Sequence, residues 1–120
     1  MTQILVLGAG MVGSAMAADL SKKYTVSLAD LSIQRLEHIK QKHQNINIVQ
    51  VDVCDSIKLQ SILQAFDFVV CAVPGFLGFQ TIKTVIEAGK NVVDISFFPE
   101  NAFELDALAK ANGVIAIFDC

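Results

Sequence analysis

Apolar positions along the chain follow two alternating rhythms. Residues 3–7 (QILVL) form an unbroken apolar run ending at Gly8, as in a strand buried on both faces. From Met11 to about Lys22, the small and apolar residues Val12, Ala15, Met16, Ala18 and Leu20 predict a helix. Residues 24–29 (YTVSLA), β-branched and aromatic, predict a second strand that ends at Asp30. Ile33, Leu36, Ile39 and Lys40 then recur at helical spacing between Ser32 and about His43. Residues 46–51 alternate apolar and polar, as an outer strand does. Asp55 and Ser56 are N-cap residues for a helix with Leu59, Ile62, Leu63 and Phe66 on one face.

The second half repeats the rhythm. Residues 68–73 (FVVCAV) predict a fourth strand, stopped by Pro74-Gly75. A stripe of Phe79, Ile82, Val85 and Ile86 stops at Gly89, read as a helix-ending C′ glycine. Residues 92–95 make a fifth strand. Leu105, Leu108 and Ala109 belong to a helix begun near Glu100 and closed by Gly113, and residues 114–118 (VIAIF) make a sixth strand. Six strands alternating with five helices imply an α/β fold, a parallel sheet with helices on both faces. Each half reads as βαβαβ. The prediction is therefore a three-layer, doubly wound Rossmann sheet of six strands in the order 3-2-1-4-5-6.

Composition narrows this picture. The 120 residues suit one domain over 1–120 and leave no room for a second core. Hydrophobic residues make up 53% and charged residues 18%, a core-rich chain. The net charge of −3, with no Lys/Arg block, argues against nucleic acid as a partner. No apolar run reaches membrane-spanning length, so no membrane partner is expected. The three cysteines, Cys54, Cys71 and Cys120, lack CxxC spacing. They point away from disulfides and metal, and towards a reducing cytoplasm.

Candidate chemistry starts at Gly8-Ala9-Gly10-Met11-Val12-Gly13, a GxGxxG between the first strand and first helix. Asp30 follows 17 positions after Gly13, at the end of the second strand. That context fits a dinucleotide fingerprint. Gly8 allows the tight turn, Gly10 lets backbone approach a pyrophosphate, and Gly13 lets helix and sheet pack closely. The helix N-terminus offers N–H groups and a positive dipole end to phosphates. Asp30 would accept ribose hydroxyls. Its charge would repel a 2′-phosphate and so favours NAD, although Arg35 and Lys22 are near enough in sequence to keep NADP open. S-adenosylmethionine and a flavin nucleotide are the competing ligands.

Ligands of doubly wound sheets lie across the carboxyl ends of the strands. This nominates Asp52 and Val53 beside the adenine and Ala72, Val73, Pro74 and Gly75 beside the middle of the dinucleotide. Asp94 and Ser96 close the fifth strand, and Asp94 needs a partner within its apolar run. Arg35, His38 and His43 read as a solvated helix face, Cys71 as core, and Phe97 and Phe98 as core or interface. No metal site is expected.

The segments ILVLGAGMVG, ADLS, VVCAVPGFLGF, VVDISFFPE and VIAIFD together resemble the N-terminal nucleotide-binding domain of saccharopine dehydrogenase-like oxidoreductases, including lysine 6-dehydrogenase-type proteins. The resemblance covers essentially the whole chain. It implies hydride transfer between nicotinamide and an amine or imine carbon of an amino-acid-derived substrate, within lysine metabolism. It implies cofactor contacts at Gly8, Gly10, Met11, Val12, Gly13, Asp30, Asp52, Val53, Ala72, Val73 and Pro74. Members continue past the sixth strand into a substrate and dimerisation domain. The chain is therefore expected to be a fragment that binds cofactor without turnover and associates into homo-oligomers, with catalytic residues elsewhere. The alternative is a nucleotide-sensing regulatory domain of a channel or transporter. A short-chain dehydrogenase is rejected, because the sole tyrosine, Tyr24, lies in the second strand.

Overall fold

In the computed structural model, which describes residues 2–96 and 102–118, strands and helices alternate throughout. The elements are β1 (Gln3–Leu7), α1 (Met11–Leu20), β2 (Thr25–Asp30), α2 (Ile33–Lys42), β3 (Asn47–Gln50) and α3 (Ser56–Leu63). Then come β4 (Phe68–Cys71), α4 (Gly75–Glu87), β5 (Asn91–Asp94), α5 (Ala102–Asn112) and β6 (Ala116–Phe118). All five strand pairings are parallel, in the order β3-β2-β1-β4-β5-β6. The expected Rossmann architecture is the observed one.

The two-residue period of β1 shows how the core divides. Leu5 and Leu7 point into a cluster with Leu59, Leu63, Ile82, Val85, Ile86 and Leu105, drawn from α3, α4 and α5. Ile4 and Val6 point the other way, into a cluster with Ala17 of α1 and Leu36 of α2. Because β1 is buried on both faces, its sequence is a continuous apolar run with no alternation.

Local chemistry sets the helix ends. The Ser32 hydroxyl accepts the Arg35 N–H at the start of α2, and Asp55 accepts the Lys58 N–H at the start of α3. Gly89 (φ 77°) and Gly113 (φ 67°) end α4 and α5 in the left-handed region. At both ends a pair of backbone bonds closes the turn, Gly89 to Ile86 with Lys90 to Val85, and Gly113 to Lys110 with Val114 to Ala109.

The strands expected at 68–73 and 114–118 are shorter, the first ending at Cys71 and the second starting at Ala116, and two helix boundaries also depart from expectation. Phe66 is buried as expected but lies beyond α3, in the turn leading to β4. Pro74 acts as the N-cap of α4 (ψ 145°), so the helix begins at Gly75, a full turn before the apolar stripe at Phe79. The extended ψ of a residue at a cap and the fixed φ of proline make Pro74 both the end of the strand exit and the start of the helix. Phe97, Phe98, Pro99, Glu100, Asp119 and Cys120 lie outside the described residues.

Candidate functional site

In this strand order, β1 and β4 are neighbours whose following helices, α1 and α4, cover opposite faces of the sheet. Their chain exits therefore diverge and leave a crevice at the carboxyl edge. The Gly8 N–H donates to Ala29 O at 2.8 Å, and the Ala72 N–H donates to Leu7 O at 2.8 Å. The first bond draws the glycine turn towards β2 and the second extends the pairing of β1 and β4 by one rung.

Gly8 has φ 107°, and a Cβ there would sit 2.5 Å from the Ala72 carbonyl oxygen. It must be glycine for two reasons, the turn and the closeness of the β4 exit. At Gly13 a Cβ would run into the Gly8 carbonyl group of the turn itself. At Gly10 a Cβ would meet nothing within 4 Å. The space over Gly10 is open, so the requirement for glycine there does not come from the fold. Gly10 is also the N-cap of α1 and supplies no side-chain cap; α1 carries no acidic residue in its first turn. The first N–H groups of α1 therefore face outward beside Met11 (91% exposed) and Val12 (57% exposed), an arrangement suited to an anion.

Asp30, the last residue of β2, is tied in from both sides. Its Oδ1 accepts the Ala9 N–H at 3.0 Å and its Oδ2 accepts the Ser32 N–H at 2.9 Å. The carboxylate thus stands against the glycine turn with further lone pairs on each oxygen. A cavity of about 270 Å³ brings together Gly8, Gly10, Met11, Val12, Gly13, Asp30, Ala72, Val73 and Pro74, nine of the eleven nominated residues. The other two, Asp52 and Val53, join Gly8, Asp30, Val73 and Pro74 around a narrower slot of about 80 Å³. Asp52 accepts the Cys54 N–H at 2.9 Å, and so shapes the loop after β3. Burial, and then the neighbouring Asp52 carboxylate, push the Cys54 thiol up.

Further residues beyond those eleven line the walls. Arg35 lies in the wall of the same cavity as Gly10 and Asp30. It also borders a second one, of about 460 Å³, with His38, Ile39 and Ser14. Both Arg35 and His38 are solvent-exposed, as expected, but on the side of α2 that meets the glycine turn. Leu31 and Leu77 line the slot beside Asp52. On the other side of β1, Ile95 and Ser96 join Val12, Met16 and Pro74 around a cavity of about 550 Å³. Asp94 is fully buried at the end of β5, and its Oδ1 accepts the Ser96 hydroxyl at 2.6 Å. Cys71 is fully buried, as expected of a core residue. Burial first, then the Asp94 carboxylate, push its thiol well above the usual range.

Among the described residues, no helix is long and apolar enough to cross a membrane, and no group of three or more His, Cys, Asp or Glu could hold a metal ion.

Known proteins share this frame. Saccharopine dehydrogenase (L-Glu forming) from Saccharomyces cerevisiae superposes with a TM-score of 0.87 at 20% identity, over 98% of this chain and 27% of that one. A protein from gentamicin A biosynthesis, solved with NAD, gives 0.79 at 20% identity over 98% of this chain and 34% of that one. A 3-ketoreductase from Actinomadura kijaniata, solved with NADP, gives 0.78 at 18% identity over 98% of this chain and 37% of that one. This chain thus spans about a quarter to just over a third of these proteins. Residues 4–117 match the model of the saccharopine dehydrogenase NADP-binding domain. The chain belongs to that family, and is a nucleotide-binding domain of the oxidoreductase kind.

Proposed function

We propose that the crevice between β1 and β4 binds a nicotinamide dinucleotide, and that the domain serves an enzyme oxidising or reducing a carbon–nitrogen bond in an amino-acid-derived substrate. One observation carries the reading: the open space over Gly10, at an uncapped helix N-terminus, faces a carboxylate held on the glycine turn. Met11, Val12 and Gly13 would donate N–H groups to the pyrophosphate. Asp30 would accept the adenosine ribose hydroxyls through its remaining lone pairs. Asp52 and Val53 would border the adenine, while Ala72, Val73 and Pro74 would hold the central portion against the sheet. The nicotinamide supplies the hydride chemistry when bound. This chain orients it and keeps water from one side, through Val12, Met16, Val73 and Ile95.

The groups that move protons and grip the substrate are assigned to polypeptide beyond this domain, which fits the share of its structural neighbours that it spans. Residues 1–120 then form one binding domain, inactive alone and working in the reducing cytoplasm. Half-buried Val93 and exposed Ile117, on the sheet face that α1 and α2 leave uncovered, suit docking to more chain or to another copy. Family membership favours this over a sensory domain of a channel or transporter.

Asp30 favours NAD, since a carboxylate beside the ribose opposes a 2′-phosphate. The position of Arg35 supports a second reading, in which its guanidinium takes that phosphate and NADP binds. Calorimetric titration with NAD(H) and NADP(H) in parallel tests both. NAD(H) preference lost in Asp30→Ala supports the first. NADP(H) preference lost in Arg35→Ala replaces it with the second. Binding of neither would overturn the proposal.

A further inference from the structure

The end of β5 holds a buried acidic side chain that dinucleotide binding alone does not explain. Asp94 is the last residue of β5, stands opposite Cys71 in the register with β4, and is fully buried. Its Oδ1 accepts both the Ser96 hydroxyl, at 2.6 Å, and the Ser96 N–H, at 3.2 Å. The buried Cys71 thiol lies beside the same carboxyl group, on the neighbouring strand. Both polar hydrogens of Ser96 thus converge on one carboxyl oxygen.

Ser96 is 7% exposed, and that exposure opens into the cavity of about 550 Å³. The rest of the wall, including Val12, Met16, Val73, Pro74 and Ile95, offers apolar side chains. A serine has one hydroxyl proton, and here it is committed to Asp94 Oδ1 in a short bond. Towards the cavity the oxygen therefore presents lone pairs only. In an apolar pocket a single fixed acceptor selects the orientation of a ligand carrying an N–H. The cavity adjoins the crevice through Ala72, Val73 and Pro74, which line both.

We infer that Ser96, held by Asp94, accepts an N–H from the carboxamide of the nicotinamide ring and so sets which way the ring lies in this cavity. Ser96 makes the contact, and Asp94 is a positioning residue that fixes the hydroxyl rotor. Ring orientation decides which face of the nicotinamide meets the partner for hydride transfer. The inference rests on the dinucleotide reading above.

The test uses three ligands titrated calorimetrically into the full chain: NAD, 3-acetylpyridine adenine dinucleotide and ADP-ribose. The acetylpyridine analogue keeps the carbonyl acceptor and replaces the amide nitrogen by methyl, so it loses only the donor. The chain should bind NAD about 10-fold more tightly than the analogue, the scale of one hydrogen bond to a polarised acceptor. Ser96→Ala should bring NAD down to the level of the analogue while ADP-ribose binding is unchanged, which also shows that the variant folds. Ser96→Thr, which keeps the hydroxyl, should keep the preference. Equal binding of NAD and the analogue by the wild-type chain, or a preference that survives Ser96→Ala, would overturn the carboxamide contact alone. Failure of the wild-type chain to bind NAD and ADP-ribose would overturn the dinucleotide reading, and this inference with it.

Discussion

The Ala9 N–H donates to Asp30 Oδ1 at 3.0 Å, across 21 residues of sequence. The glycine turn and the acidic end of β2 are thus one structural unit. The carboxylate has two tasks, since it holds the turn in shape and faces the space where a ribose would lie. Asp30→Ala leaves the Ala9 and Ser32 N–H groups without their partner. It should lower stability by about 1–3 kcal/mol, read from urea midpoints, and weaken NAD binding by at least about 10-fold. Unchanged stability would show that the turn holds its shape without the carboxylate.

Gly10 and Gly13 make a sharper contrast. A Cβ at Gly13 collides with backbone of the turn, whereas one at Gly10 meets open space. Gly13→Ala should therefore lower stability by about 3 kcal/mol or more, because overpacking against backbone has little room to relax. Gly10→Ala should leave the urea midpoint nearly unchanged and abolish dinucleotide binding. Equal loss of stability in both variants would contradict this division of roles.

Much of this was legible in the sequence because buried parallel strands leave a strong signal. ILVL and FVVCAV are apolar end to end, and the first runs into Gly8 and the second into Pro74 at the turn. The start of α4 was less legible. Pro74-Gly75 reads as a stop, yet the proline caps the next helix, and propensity alone does not separate the two roles. By sequence, Arg35 and His38 read as solvent-facing. They are exposed, but three residues apart on α2 they share the side towards the glycine turn, which depends on how that helix lies on the sheet. The place of Ser96 after β5 nominates it, while its bond to Asp94 depends on how the chain turns at the strand exit.

The Cys71 thiol gives a pH signature. Its folded-state pKa is raised above the unfolded value of about 9.0, by burial first and the Asp94 carboxylate second. Below that value both states keep the proton and Cys71 has no effect on the pH dependence. Above it the unfolded chain releases the proton while the folded chain retains it, so the stability falls as pH rises. The slope due to Cys71 approaches about 1.4 kcal/mol per pH unit. Urea midpoints at pH 7, 9 and 10 should fall more steeply in the wild type than in Cys71→Ala. Parallel profiles would show that the thiol titrates normally.

Lys40 offers a test of structure separate from the site. Its Nζ donates to Gln44 O and Ile46 O, both at 2.7 Å, and so closes the loop between α2 and β3. Lys40→Met keeps the apolar stem and removes the donors. It should lower the urea midpoint, equivalent to about 1–3 kcal/mol, and leave dinucleotide affinity unaltered. A matching loss of affinity would mean that this loop reaches the binding crevice.

The most direct test of the central claim is to map backbone amide chemical shifts as NADH is added to the isotope-labelled chain. The account predicts saturable shifts at Gly10, Met11, Val12, Gly13, Asp30, Val53, Ala72, Val73 and Ser96, with the far ends of β1 and β4 undisturbed. Saturable shifts centred away from the carboxyl edge of the sheet, or none at millimolar NADH, would contradict it.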